Sequence, residues 1–306
     1  MSITFVRFSP LLEKDLQITD VSSTIIAVRP GAQTRFFERE RFGMNIIITA
    51  GGTTEQIDQV RKIANAASGR LASCVAREFV RQGGTKIEKI YYVCERGAIV
   101  PELDCLELVT TRGAESVGAA LQSILAREKI DAVVHSMAVS DYTVESMTTA
   151  EDLADGIARR IWARSEDFSD EAALADFVTD CILQNDRVID RSNKVSSNLA
   201  HPLLALRQTP KLIRMVKDLQ PETILVGFKL LDGVPREELL DTAHALLRKN
   251  ACDFVLANDL TEISGERHTG YLLAPDRRYE RCETKQEIAE TIVKNVLGLY
   301  GKRKKK

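Results

Sequence analysis

The sequence predicts a doubly wound α/β fold with a mainly parallel sheet. Three observations carry this. Short apolar runs rich in β-branched residues recur along the 306 residues; helix-length amphipathic segments separate them; and the residues with chemical potential fall just after the runs. Strands alternating with helices build parallel sheets, and such sheets bind ligands beyond their carboxyl ends.

Residues 1–43 do not share the pattern. They hold Thr24-Ile-Ile-Ala-Val-Arg29, Pro30-Gly31 and a charged Phe36-Phe-Glu-Arg-Glu-Arg-Phe42. An N-terminal extension of unknown role, and an element that packs on the domain or on a partner subunit, both fit. From Met44 the alternation is clear, so the functional domain is expected over 44–300, with 301–306 a basic tail.

The run 45–50 reads as a strand covered on both faces. Residues 68–82 have helical spacing, with Leu71, Val75, Ala76, Phe79 and Val80 on one side, and Gly83-Gly84 ends them. Strands follow at 90–94 and 106–109, a helix at 114–128, and a buried strand at 131–137. Residues 143–193 are acidic and alanine-rich, with helical candidates at 151–162 and 170–183 and no strand; they read as a helical insertion or lid. A helix at 210–219, a strand at 223–229, a helix at 235–250 and a strand at 253–257 resume the pattern. Runs 271–274 and 279–282 around Pro275-Asp276-Arg277 predict a small C-terminal hairpin, and 285–299 a closing helix. The whole is Rossmann-like.

Composition excludes several classes. A net charge of −2 provides no global field for nucleic acid or membrane, and the short Lys302-Arg-Lys-Lys-Lys306 end reads as a solvated tail. No apolar run reaches membrane-span length, and the N-terminus lacks a signal peptide's apolar centre. The 6 cysteines form no close pairs, as expected of reduced thiols in a cytoplasmic protein, and the 4 histidines show no metal-ligand spacing. No metal site is therefore expected in the protein itself.

The first strand runs into Gly51-Gly52 and, beyond a polar loop, Gly69 opens a helix. Glycine lets backbone approach a ligand, and a helix N-terminus offers unpaired N–H groups to phosphate. A structural turn fits these glycines equally, since the third glycine of the dinucleotide fingerprint is missing. Asn65 is either a cap or a neutral amide that holds a carboxylate or an acyl group. Arg61 is either a surface charge or a fork for phosphate or carboxylate. After 131–137, the small Ala138 permits close approach of a ligand, and Asp141 is either a turn former or a ligand for a hydroxyl, an amide or hydrated Mg²⁺. Lys194 sits in a loop of Lys-Val-Ser-Ser, solvated or closing over a triphosphate. Phe228 is core or a stacking surface for a base, and Asn258 a turn cap or a reader of polar groups on a nucleotide.

Taken together and in order, these places resemble the phosphopantothenate–cysteine ligase family, over about residues 44–298. The resemblance rests on Thr49-Ala-Gly-Gly-Thr-Thr-Glu55, Val60-Arg-Lys-Ile-Ala-Asn-Ala-Ala-Ser-Gly-Arg70, His135-Ser-Met-Ala-Val-Ser-Asp-Tyr142, Asn193-Lys-Val-Ser-Ser197, Thr209-Pro-Lys211, Val226-Gly-Phe-Lys-Leu-Leu231 and Val255-Leu-Ala-Asn-Asp-Leu-Thr261. It implies a stand-alone bacterial form without flavin. It also implies a reaction of coenzyme A synthesis in which CTP or ATP, with Mg²⁺, activates the carboxylate of 4′-phosphopantothenate before cysteine attacks.

By the same resemblance Asn65 and Lys194 are catalytic. Ala138 and Asp141 bind phosphopantothenate, and Arg61 reaches the site of a second subunit, so a homodimer is implied. Gly51, Gly52, Ser68, Gly69, Phe228 and Asn258 match nucleotide-binding positions. The chain departs from the family pattern at Ala67 and Ala72, and lysines common in bacterial members are replaced by Leu246 and Asn250, with Lys249 or Arg248 as substitutes. Bacterial members generally use CTP, which is the expectation here. Two other readings stay open: a nicotinamide-dependent reductase of similar fold, and a non-enzymatic nucleotide-sensing module.

Overall fold

A computed structural model describes residues 43–164, 167–265 and 267–305, with the backbone of two strands nearer the N-terminus. The chain divides into two compact units, Met1–Arg41 and Phe42–Lys306. In the first, β1 (Gln17–Val21) and β2 (Thr24–Val28) pair antiparallel. The charged run 36–42 lies outside the described residues.

The second unit opens with β3 (Met44–Ala50), buried at every residue. Its Ile46-Ile-Ile48 has no polar face because both sides of the sheet are covered. A short antiparallel hairpin follows, β4 (Thr54–Gln56) with β5 (Lys62–Ala64), and then α1 (Arg70–Gly83). β6 (Ile87–Glu95) lies parallel to β3, and β7 (Leu106–Thr111) parallel to β6. After α2 (Gly113–Arg127), β8 (Ala132–His135) returns to the other flank of β3.

Next come β9 (Tyr142–Thr149), α3 (Ala150–Trp162), α4 (Glu171–Leu183) and β10 (Pro202–Gln208). The sheet resumes through α5 (Ile213–Leu219), β11 (Ile224–Leu231), α6 (Arg236–Asn250) and β12 (Phe254–Asp259). It ends with β13 (Ile263–Ser264), β14 (Arg267–Leu273), β15 (Tyr279–Thr284) and α7 (Lys285–Arg303). The nine-stranded sheet has the order β13-β14-β12-β11-β8-β3-β6-β7, with β15 on β14. From β12 to β7 its strands are parallel, which is the doubly wound fold the sequence predicts.

Helices cover both faces. In α1 the buried Ala72, Val75, Ala76 and Phe79 form the stripe that faces the sheet, and Gln82 Nε2 donates to Glu290 O of α7 at 3.1 Å. On the other face α2 meets α5, where Gln220 Nε2 donates to Leu125 O and Glu128 O at 2.7 and 2.6 Å.

One prediction needs correction. The sequence shows no strand within 143–193, yet Tyr142–Thr149 pairs antiparallel with Pro202–Gln208 in a separate two-stranded ribbon. The alternation is broken by Glu145, and the partner strand lies far along the chain, so local pattern does not reveal the pairing. The C-terminal hairpin is also longer than predicted and joins the main sheet, since β14 runs antiparallel to β12.

Candidate active site

From β3 the chain winds outward in both directions, to β6 and β7 on one side and to β8, β11 and β12 on the other. The strand order therefore reverses between β3 and β8, and the crevice beyond their carboxyl ends is the expected ligand site. Several sequence-predicted residues meet there. Gly51 has φ +79°, a conformation that L side chains rarely adopt. Ala138 N donates to Gly51 O at 2.9 Å and Thr53 N to Ala138 O at 3.1 Å, closing a parallel bridge between Gly52 and Ala138.

Asn65 returns to the same point. Its backbone N donates to Thr53 O at 3.1 Å, and its side-chain Nδ2 donates to Ala138 O at 3.0 Å. The amide is thus oriented while its Oδ1 has no hydrogen-bond partner among the described residues, and the residue as a whole is exposed. A Cβ on Gly52 would lie 2.1 Å from Asn65 O, so glycine is required there for space. Gly69, φ +76°, starts α1, and a Cβ on it would come within 3.2 Å of Gly51 N. Ser68 O accepts from Ile99 N at 2.9 Å, which brings in the loop after β6. Ala98 of that loop would meet a Cβ on Gly51 at 3.0 Å, and nothing in the sequence pattern singles this contact out.

Asp141 leaves the crevice on the β8 side. Its Oδ1 accepts from Lys211 Nζ at 2.5 Å, both side chains being exposed. The turn beneath is fixed by Thr53 Oγ1, which accepts from Ser140 N at 2.7 Å, and by Thr209 Oγ1, which donates to Ser140 O at 2.5 Å. Lys211 stands in a motif that the sequence singles out, but its pairing with Asp141 depends on the ribbon that separates them. On β11, Val226 pairs with Val134 of β8, so half-buried Phe228 lies level with the chain as it leaves β8.

Lys194 is exposed and has no partner among the described residues, and its loop is pinned by its neighbour. Val195 N donates to Asp58 Oδ2 at 3.1 Å, and Val195 O accepts from Arg61 Nη2 at 2.9 Å. Arg61 itself grips Asp58 Oδ2 through Nε at 2.9 Å and Nη2 at 2.6 Å. These bonds, with the Arg61 side chain first, hold the Asp58 carboxyl well below the usual carboxylate range. Within one chain, then, the guanidinium is engaged at the hairpin tip and holds the Lys194 loop. Asn65 lies roughly 13 Å of extended chain away.

Two residues sit differently from the sequence expectation. Lys249 is in the last turn of α6, where Cys252 N donates to Leu247 O and Asp253 N to Leu225 O, at the start of β11. A crossover helix runs back against its strands, so this lysine lies at the amino ends of the sheet, remote from the crevice. Asn258 ends β12 as expected, but it is buried and its Nδ2 lies 3.2 Å from His268 Nε2.

A cavity of about 830 Å³ opens beside the crevice, lined by Glu55, Asp58, Arg112, Arg191 and Arg207 among others. Neither Asn65 nor Ala138 lines it, and the strand reversal makes the open crevice the candidate site.

The family model for the DNA/pantothenate metabolism flavoprotein C-terminal domain matches residues 42–151 and 144–299. The chain belongs to this family. The bifunctional coenzyme A biosynthesis protein CoaBC of Thermococcus kodakarensis is 27% identical over 253 residues, covering 82% of this chain and 50% of that protein. The chain thus spans about half the length of the curated relatives it matches. A DNA/pantothenate metabolism flavoprotein structure from Streptococcus pneumoniae shares 30% identity at a TM-score of 0.65, over 84% of this chain and 100% of that one. A Cab2 mutant in complex with phosphopantothenate-cysteine has a TM-score of 0.58 over 85% of this chain and 87% of that one; at 15% identity it shows the shared fold.

In this member of the DNA/pantothenate metabolism flavoprotein C-terminal domain family, the described residues hold no cluster of three or more His, Cys, Asp or Glu suited to a metal. Asp141 is paired with Lys211, and Asp259 accepts from Gly233 N, Val234 N and Thr261 N. The donor set therefore does not build a resident Mg²⁺ cage.

Proposed function

We propose that this domain is a nucleoside triphosphate-dependent ligase that joins 4′-phosphopantothenate to cysteine, a step of coenzyme A synthesis. The observation that carries the reading is the Asn65 amide, held on Ala138 O above the Gly51–Gly52 turn at the strand reversal. It stands in a chain whose family relatives include coenzyme A biosynthesis proteins.

Carboxylates are poor electrophiles, so the substrate carboxylate first attacks the α-phosphorus, giving an acyl-nucleotide and releasing pyrophosphate. The amine of cysteine then attacks the acyl carbon, and the nucleoside monophosphate leaves with the bonding pair. The bare backbone at Gly51 and Gly69 suits the phosphates, with Ser68 beside them and Phe228 and Asn258 on the flank of the base. Lys194 supplies a mobile positive charge to the triphosphate, and Asn65 positions the acyl group between the half-reactions without acting as a nucleophile. Ala138 and Asp141 line the pantothenate side. CTP is the expected nucleotide, with Mg²⁺ entering on its phosphates.

A homodimer accompanies this reading. β10 is exposed at six of its seven positions, and Leu203 and Leu206, 40% and 47% exposed, stand on a two-stranded ribbon that needs further cover. All six cysteines are free thiols, in keeping with a reducing cytoplasm.

The test is to mix the purified protein with phosphopantothenate, Mg²⁺, cysteine and either CTP or ATP. Pyrophosphate release with CTP is expected, and none with either nucleotide refutes the function. Asn65→Asp is expected to release pyrophosphate yet form little amide, and equal loss of both steps would reject its role. Lys194→Gln should slow pyrophosphate release, so a normal rate would count against that lysine.

A further inference from the structure

At the strand reversal, Thr49 of β3 and His135 of β8 are register partners on neighbouring strands, and their side chains touch. Thr49 Oγ1 lies 3.0 Å from His135 Nδ1 and accepts from Met137 N at 3.2 Å. Thr49 is fully buried, so its single hydroxyl proton needs an acceptor, and His135 Nδ1 is the one within reach among the described residues. The imidazole proton then resides on Nε2. That nitrogen has no hydrogen-bond partner among the described residues and is not sealed from solvent, since it is absent from the buried unpaired atoms while the ring is half-buried.

The position gives the open N–H a meaning. His135 is the last residue of β8, one residue after the last pairing of β8 with the strand that carries Phe228, and three before Ala138. Gly51 stands two residues beyond Thr49. A satisfied core histidine would have its second nitrogen paired within the fold, and this one instead opens at the carboxyl ends of the strands.

We propose that His135 is a further residue of this site, a neutral imidazole whose Nε2–H donates a hydrogen bond to a phosphate oxygen of the bound nucleoside triphosphate. The identity of the ligand rests on the ligase reading. No proton is transferred; the N–H stabilises charge on the phosphate chain as the carboxylate attacks. In the free chain burial pushes the ring down to about 4, so the imidazole that meets the nucleotide is neutral near neutral pH. Thr49 is the positioning residue, because its hydroxyl fixes the tautomer.

Nitrogen-15 NMR of the histidine-labelled wild-type chain is expected to show the Nε2–H tautomer from about pH 5 to 8 and a shift of that signal on adding CTP or ATP with Mg²⁺. An Nδ1–H tautomer, or no shift with either nucleotide, overturns the proposal. In kinetics, His135→Leu should lower pyrophosphate release roughly 10²-fold with the KM for phosphopantothenate unchanged. His135→Gln, which returns an N–H donor, should recover most of the rate. A folded His135→Leu with the wild-type rate also overturns it. If the wild type releases no pyrophosphate, the ligase reading falls, while the tautomer and the nucleotide-dependent shift still decide the role of His135.

Discussion

The crevice depends on atoms that leave no room for change. Gly52 is glycine because Asn65 O occupies the place of its Cβ. Gly52→Ala must push the strand β5 exit away from β3, at a cost of roughly 1–3 kcal/mol, and must turn Asn65 off Ala138 O. A lower melting temperature together with lost amide formation is expected; an unchanged melt and full activity would contradict the packing. Arg61 acts at longer range. Arg61→Ala releases Asp58 and Val195, so the Lys194 loop loosens, and a several-fold rise in nucleotide KM is expected where Lys62→Ala gives none. Equal KM values in both variants would show that the loop does not rely on Arg61. Gly51, Gly52, Asn65, Gly69 and Ala138 were legible because each lies within a few residues of a strand end or helix start. The Asp58–Arg61–Val195 link was not, because it joins loops 134 or more residues apart. Lys249 misled because residue type alone does not tell which end of the sheet a helix delivers it to.

At the scale of elements, the parallel strands could be read from sequence since burial on both faces makes them continuous apolar runs, as in β3 and in Ala132–His135. The ribbon β9–β10 could not, since one of its faces is wet and its pairing is long-range. One tie between it and the sheet domain is Arg191. Its guanidinium donates to Gln56 O and Ile57 O at 3.2 Å on the β4 side, and to Val144 O and Glu145 O at 3.1 Å in β9. Four carbonyls lose a charged donor in Arg191→Ala, which should cost about 2 kcal/mol. Amide exchange in β9 is expected to accelerate while that in β3 does not. Uniform acceleration, or none, would mean that the ribbon is held by other contacts.

The molecule as a whole carries a stability that depends on two neutral histidines. Burial lowers His135 to about 4, and burial followed by the charge of Lys285 lowers His268 to about 4, against an ordinary 6.5 for both. His268 Nε2 accepts from Asn258 Nδ2 at 3.2 Å, which leaves the ring proton on the sealed, unpaired Nδ1, and a second proton would have to sit on Nε2 facing that amide donor. The unfolded chain takes up these protons near pH 6.5 and the folded chain only near pH 4. Between those values the unfolded state binds more protons, and stability falls as the pH is lowered. Each histidine adds at most about 1.4 kcal/mol per pH unit in that window. The depressed carboxylates Asp58 and Asp259 act at lower pH, because their stabilisation is lost only as pH falls through their folded values, below the usual carboxylate range. The melting temperature is therefore expected to drop from pH 6.5 towards pH 4, before those carboxylates titrate. His268→Gln should flatten that limb by one histidine's share; an equally steep limb in the variant would show that His268 is already protonated in the folded chain.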